Sequence, residues 1–508
     1  MNSSRRGTIL LAVLLVISLS ALAATTAMYL GQAAGEGARM SLKRTRSRAM
    51  AWSGVQAVMA ELSDQRDKVL DGDNPQITNQ WQLFEESGRR GIVRLVALAK
   101  DDASQEQWIL SESTKLDLNS ATADMLEKVP GVTKELAAAI VSSRQQGFSS
   151  VQELVRVPGM KPELLWGISD GGMSASAEST TAGGALESFL SVLAFDPNVQ
   201  AGIDPGGAER RGKLRLNLNT PWSDELESGI KDRFGQGAAT SAKTLFDKGA
   251  SFKTLKDLCT VLQQQKLPNA AWPALLDAFT CTPDPFIGGR VDINRAPATV
   301  IAAIPGFTPE TAEQLVKARP GLDAAARRTV TWPLTQGILK EDKFLDAVDF
   351  MTTRSMQWRV RVEVGTVESE SNSAREPPLE DRLILEAVID IASERPRIAY
   401  LRDVTLMDTA RAMNTDLDQQ AERHDLAAAE TGPSEPKPPT TSAKLDMDAN
   451  LKLSGVLDFD GDEPTVATAP TAPEPIASAA PPEGVDRRIG RWTSRTGGSS
   501  EPPTGSQP

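Results

Sequence analysis

The distribution of apolar residues along the chain changes rhythm several times, and each rhythm predicts a different kind of element. From Thr8 to Gly35 no residue is charged, and Arg5 and Arg6 stand just before this run. As a helix, Thr8–Leu30 is about 34 Å long at roughly 1.5 Å per residue, enough to cross a bilayer. Beyond it Leu30, Ala34, Ala38, Leu42, Trp52, Val55, Met59 and Leu62 recur at steps of three and four, with no proline before Pro75. That spacing predicts a long amphipathic stem helix. Arg39, Lys43, Arg44, Arg46 and Arg48 lie off that face, on the side of the membrane where basic residues are usually scarce.

The rhythm then becomes that of strands: 81–84, 91–98 and 107–110 alternate or run apolar between polar turns. It returns to strands at 357–365, where Trp358, Val360, Val362 and Val364 share one face, and at 382–391 and 397–402. Between these groups lies a helical block, roughly 112–345, so the fold expected is α+β, a sheet domain with a helical insertion. The last part, 408–508, is rich in Ala, Thr, Pro, Glu and Ser and is predicted to be disordered. The glycine pairs at 171–172 and 183–184 read as linker.

Within the block a phrase recurs: Leu116-Asp-Leu-Asn119, Leu216-Asn-Leu-Asn219 and Val291-Asp-Ile-Asn294. Each reads as a strand end running into a helix, with Asn119 or Ser120 as the cap of the first. The first copy continues into two helix-hairpin-helix units turning at Val129-Pro-Gly131 and Val157-Pro-Gly159. The third turns at Ile304-Pro-Gly306; in the middle copy the hairpin reads as lost, with Gly235-Gln-Gly following a helix. Phe189-Leu-Ser-Val and Phe279-Thr-Cys-Thr rhyme as lead-ins to the second and third copies. A repeat of this kind argues for one helical domain built from related units.

Composition narrows the chemistry. The 508 residues carry a net charge of −12, which excludes a general nucleic-acid binder. The one histidine, His424, lies in the tail, so His-based catalysis and His-built metal sites are not expected. No nucleophile elbow, phosphate-binding glycine loop or metalloprotease motif is present, and no enzyme is predicted. Cys259 and Cys281 read either as a disulfide closing a loop of about 20 residues, on the order of 3 kcal/mol, or as two buried thiols. DNA-binding hairpins use Gly-x-Gly to bring backbone N–H groups to a phosphate. Here Thr133, Lys161 and Thr308 replace the second glycine, and acids surround Lys134 and Lys161, so packing or docking is favoured over DNA binding. Asp117 with Asn119 and Asp292 with Asn294 pair oxygen atoms on one strand face, a calcium-type arrangement, against a reading as helix caps. Asp458, Asp460 and Asp462 flank Gly461 but lack the downstream Glu of a calcium loop.

The first thirty residues admit three fates: a signal peptide cut after Ala21-Leu-Ala23, a plain anchor, or a short prepilin-type leader cut between Gly7 and Thr8. Taken together, Arg5-Arg-Gly7 with its stem, Leu116-Asp-Leu-Asn-Ser-Ala121, Phe148 through Met160, Val291 through Pro297 and Pro396 through Arg402 resemble the general secretion pathway protein K family. These are the large minor pseudopilins of type II secretion. The resemblance covers about 5–403, and Ala12 agrees with it, because that family lacks the early glutamate of other pilin helices. Thr8, the degenerate middle repeat and the tail depart from the common pattern.

The resemblance implies a leader at 1–7, a transmembrane helix at 8–30, a stem at 31–70 and a sheet domain at 71–111 and 346–407 around the insertion. It implies processing by prepilin peptidase, a single pass through the inner membrane with the bulk in the periplasm, and a place at the pseudopilus tip. The partners it implies are other minor pseudopilins and the secretion inner-membrane platform; it brings no established cofactor. The alternatives are a membrane-anchored helix-hairpin-helix DNA receptor of the competence type and a released periplasmic scaffold.

Overall fold

In the computed structural model the described residues are 4–100, 106–166, 185–203, 207–368 and 379–407, with two short strands further on. The chain divides into units at Met1–Thr415 and Asp416–Pro508. Of the second, the described part is the antiparallel pairing of Val485–Asp486 with Arg491–Trp492. The rest of the tail expected to be disordered, with its Asp458–Asp462 cluster and His424, lies outside the described residues, as do the glycine pairs read as linker.

One helix runs from Ser4 to Asp64. From Val13 onward its apolar part is unburied and is long and apolar enough to cross a membrane. Its last part lies across an antiparallel sheet. The central strand, Gln357–Glu368, pairs on one side with Glu380–Asp390 and on the other with Arg89–Leu95. Gln80–Glu86 and Arg397–Asp403 form the edges. The short strand Ile109–Ser111 pairs with the start of the central strand. Ser87 and Gly88 turn the first hairpin with φ of 52° and 73°, the pair of positive angles that suits right-twisted strands.

The core forms where the stem meets the sheet. Met50, Ala51, Val55, Val58 and Leu62 are buried against Val93, Leu95, Trp358, Val360, Val362 and Val364. Alternation puts the four central-strand residues on one face, as the sequence predicts. Gly54 sets the distance of approach: a Cβ there would stand 2.6 Å from Val93 Cγ1 and 2.7 Å from Val362 Cγ1. The predicted stem face needs correction. Leu30 and Leu42 are exposed and Trp52 points outward, because burial against the sheet starts only near Ser47 and centres on the Met50–Val58 side. Two members of the basic run are engaged by the sheet. Lys43 pairs with Asp381 at 3.0 Å, and Arg46 lies 4.3 Å above the Phe84 ring and beside Glu86.

The other face of the central strand is an ionic ladder. Glu363 joins Arg94 and Arg382; Glu386 joins Arg359 at 2.5 Å and Arg361 at 2.7 Å; Arg359 reaches on to Glu112 at 2.6 Å. The helical block leaves the sheet after Ser111 and re-enters at Gln357, and Ser111 faces Trp358 across the ladder. It is therefore inserted between two neighbouring strand positions. The boundary expected at 345 falls inside a helix, Glu341–Ala347, and the last bridge of the block closes only at Thr352.

Candidate functional site: a threefold repeat of closed helix-hairpin-helix units

The recurrent phrase opens each unit and, by backbone pairing, also closes it. Leu116–Asp117 pairs in parallel with Leu190–Ser191, Leu216–Asn217 with Phe279–Thr280, and Val291–Asp292 with Met351–Thr352. The next N–H in each phrase, on Leu118, Leu218 and Ile293, donates to the carbonyl of Ser191, Thr280 and Thr352 at 2.7, 2.8 and 2.9 Å. The hydroxyls of Ser191, Thr280 and Thr352 then accept from the N–H two residues on, at 3.0, 3.4 and 3.2 Å. The two segments that rhyme as lead-ins are thus the closing strands of the units before them, and Met351-Thr352 is the third member of that set. Two-residue parallel bridges are too short to show as sequence alternation, which is why the rhyme reads as an opening.

Each phrase turns the same way. Asp117, Asn217 and Asp292 accept through a side-chain oxygen from the N–H of Asn119, Asn219 and Asn294 at 3.3, 2.9 and 2.9 Å, an Asx turn. The asparagines do not cap helices as expected; Thr122 caps the first helix by accepting from Met125 N–H at 3.2 Å. Asn119 instead clamps the chain ahead of the second hairpin, donating to the Phe148 carbonyl at 2.9 Å and accepting from its N–H at 2.7 Å. Asn294 does the equivalent, donating to the Arg327 carbonyl at 2.8 Å and accepting from Trp332 Nε1 at 3.0 Å. The oxygens of the calcium-type pairs are therefore engaged by protein donors. Asp292 Oδ2 also accepts from Ser355 Oγ and Arg295 at 2.5 Å each, so a guanidinium occupies the place a cation would take. Among the described residues no group of three or more His, Cys, Asp or Glu is placed to hold a metal.

A cation precedes every copy of the phrase: Lys115 and Arg290, both buried, and Arg215, half-buried. Lys115 stands 4.0 Å from Glu112, Arg215 donates to the Asp277 carbonyl at 3.2 Å, and Arg290 pairs with Asp196 at 3.4 Å alongside Arg354. Burial, with Arg354 and Arg290 close by, lowers the Arg215 guanidinium to about 9 despite Asp196 and Asp277. Burial pushes the Glu112 carboxyl up, but Lys115 and Arg359 outweigh it and bring it down to about 2. This set was readable as a fourth shared position of the phrase, one residue before where the apolar pattern begins.

The hairpin glycines Gly131, Gly159 and Gly306 have φ of 80°, 86° and 87°. Gly235 has φ of 84° and breaks the middle helix, so the middle copy keeps a hairpin turn that its lack of Pro-Gly concealed. Gly131 is covered by Leu164, whose Cδ1 lies 2.4 Å from the place of a Cβ. Gly306 is covered by the Lys343 carbonyl at 2.3 Å. The helices that follow begin Lys134-Glu135, Pro162-Glu163 and Pro309-Glu310. Each puts a carboxylate in the first turn, where a phosphate would sit. Glu135 is held below the usual carboxylate range first by its own backbone N–H, and Glu310 first by the Thr308 hydroxyl.

Cys259, on the helix Leu255–Gln264, is buried and Cys281 is half-buried; both are free thiols, so the disulfide alternative is not formed. Burial and the nearby Asp349 push both thiols up, that of Cys281 to about 12, which keeps them protonated and unreactive. Gly7 falls within the first helix; the contacts of Gly7 and Thr8 lie outside what is described.

Comparison with known proteins matches residues 111–168 to the helix-hairpin-helix motif family. A curated relative, the endonuclease/exonuclease/phosphatase family domain-containing protein 1 of Xenopus laevis, is 26% identical over 213 residues. The match covers 33% of this chain and spans 36% of that relative's length. A solved structure, the GspK-GspI-GspJ complex of the enterotoxigenic Escherichia coli type 2 secretion system, aligns with a TM-score of 0.29 at 11% identity. It covers 72% of this chain and 98% of that one.

Proposed function

We propose that the chain is a non-enzymatic minor pseudopilin of the general secretion pathway protein K kind, acting at the pseudopilus tip, with its inserted block docking onto other minor pseudopilins. The observation that carries this reading is the single helix Ser4–Asp64. Its unburied apolar part leads without a break into the helix that packs on the antiparallel sheet. A span and a globular core that share one helix suit a subunit drawn from the membrane into a helical assembly. In this reading Thr8–Leu30 sits in the inner membrane, the bulk is periplasmic, prepilin peptidase cuts between Gly7 and Thr8, and the inner-membrane platform receives the mature helix. Intact mass of the protein purified from its membrane is the test: loss of Met1–Gly7 is expected, and loss through about Ala23 overturns the reading. Gly7→Glu is expected to abolish cleavage.

The competence-type DNA receptor remains the second reading, supported by the helix-hairpin-helix match at 111–168. Against it stand Glu135, Glu163 and Glu310 at the helix starts and the covered Gly131 and Gly306. Filter binding of duplex DNA at low salt is expected to show no saturable retention; saturable, salt-sensitive binding would replace the first reading with this one.

A further inference from the structure

The inserted block is joined to the sheet at its root, through its two adjacent strand ends and the packing of Val199 and Phe286 against the core. A second attachment lies elsewhere, on the short helix Arg66–Leu70 after the stem and on the turn that follows it to Asn74. Asp71 takes two arginines of the block, Arg211 at 2.8 Å and Arg328 at 2.9 Å. Arg328 comes from the third unit; Arg211 precedes the second and donates also to the Asp67 carbonyl. Arg328 donates as well to the Ala201 carbonyl at 2.8 Å. Arg295 of the third unit spans the rest of the turn, donating to the Gly72 and Asp73 carbonyls at 2.7 and 2.8 Å and to Asn74 Oδ1 at 2.6 Å. Gly72, with φ of 83°, packs so closely that a Cβ would stand 2.9 Å from the Arg327 carbonyl and 3.2 Å from that of Thr353. On its other side the stem end is tied to the sheet by Arg66, which donates to the Ile391 and Ala392 carbonyls, both at 3.0 Å.

We propose that Asp71 is a positioning residue that fixes the direction of the inserted block on the stem, by holding Arg211 and Arg328 against the turn that ends the helix. Arg295 contributes through two backbone carbonyls, which any sequence of the turn would supply, and through the uncharged Asn74 side chain. Among the described residues Asp71 is the carboxylate outside the block that two parts of the block share, so its charge indexes them to the same point. The consequence for function rests on the docking role proposed above: a block held at one angle presents one face to its partners.

The test is the distance distribution between spin labels in the full chain, one on the stem at Ser53→Cys and one on the middle unit at Lys243→Cys, with Cys259 and Cys281 changed to alanine. The parent is expected to give one narrow distribution, and Asp71→Asn at least a twofold broader one. Lys256→Gln, which breaks the Lys256–Asp346 pair inside the block, is expected to leave the width unchanged. An Asp71→Asn distribution that superimposes on the parent overturns the proposal, and so does equal broadening by Lys256→Gln. Should Asp71→Asn fail to fold, Arg211→Gln with Arg328→Gln removes the same pairs from the partly exposed side and is read in the same way. The measurement needs no partner protein, so failure of the chain to bind other minor pseudopilins would remove the docking reading and leave this one standing.

Discussion

The outer units of the inserted block and the middle one share a frame but not a clamp. All three have the parallel bridge, the Asx turn, the hydroxyl turn after the closing strand and a glycine of positive φ between helices. Asn119 and Asn294 reach from the first turn to hold chain far along the unit, whereas the Asn219 side chain is exposed. The frame is made of backbone contacts and one-residue side-chain turns, so it survives large changes in the helices it encloses. The clamp needs the chain ahead of the second hairpin to come back to one place. In the middle unit the long helix pair Asp224–Asp247 carries that chain elsewhere.

The comparison breaks most sharply at the first hairpin of the outer units. Gly306→Ala adds a Cβ at positive φ that would meet the Lys343 carbonyl, a backbone atom that can retreat only by moving its helix. A cost on the order of 3–5 kcal/mol is expected in denaturant unfolding of the full chain. Gly131→Ala meets Leu164 Cδ1, the far end of a side chain that can rotate, and is expected to cost less. Gly159→Ala has open space around it and is expected to cost only the conformational term, about 1–2 kcal/mol. Equal costs at the three sites would mean that the hairpins are not covered in the way described.

The root of the block provides the next largest effect. Glu112 is buried, accepts from Arg359 at 2.6 Å and from Ser191 Oγ, and so ties the first unit's closing strand to the sheet. Its carboxyl lies at about 2 in the folded chain against an ordinary 4.5. A lowered folded value means stability that is present above the unfolded value and is lost as pH falls from about 4.5 through about 2. The contribution is on the order of 3 kcal/mol. The unfolding midpoint of the parent is therefore expected to drop steeply across that window, and Glu112→Gln to start lower at pH 7 and fall less. A variant that follows the parent's acid profile would show that other carboxylates carry it.

Much of the architecture was legible because it rests on periodicity. The alternation at Trp358, Val360, Val362 and Val364, the charge-free run and the Pro-Gly hairpins each place their residues on a predicted element. What was not legible has physical reasons. The stem face drawn through Trp52 fails because Leu30 and Leu42 lie before the stretch that meets the sheet and Trp52 lies on the side of the helix turned away from it. The middle hairpin was hidden because positive φ at Gly235 needs glycine but no proline. Phe252-Lys-Thr-Leu in the middle unit matches Phe148-Ser-Ser-Val in the first, and both phenylalanines are buried, a further shared position of the repeat. The cations Lys115, Arg215 and Arg290 went unread because a charge before an apolar phrase looks like a solvated turn. Asp71 could not be read at all, since its partners lie far along the chain.

The clamp itself yields the smallest effect and the cleanest contrast. Asn119→Ala removes two hydrogen bonds and leaves the Phe148 N–H without its acceptor in a half-buried place, a loss of about 1–3 kcal/mol. Asn294→Ala frees Trp332 Nε1 and the Arg327 carbonyl and is expected in the same range. In Asn219→Ala the Asx turn persists, because the Asn217 side chain accepts from the backbone N–H, which alanine retains. That variant is expected to fall within about 0.5 kcal/mol of the parent, as exposed substitutions do. Hydrogen exchange at the Phe148 amide gives the local reading: Asn119→Ala should speed it while Asn219→Ala leaves it unchanged. Were all three variants equally mild, the asparagine would be only a turn former in every unit, and the difference between the outer units and the middle one would lie in the helices alone.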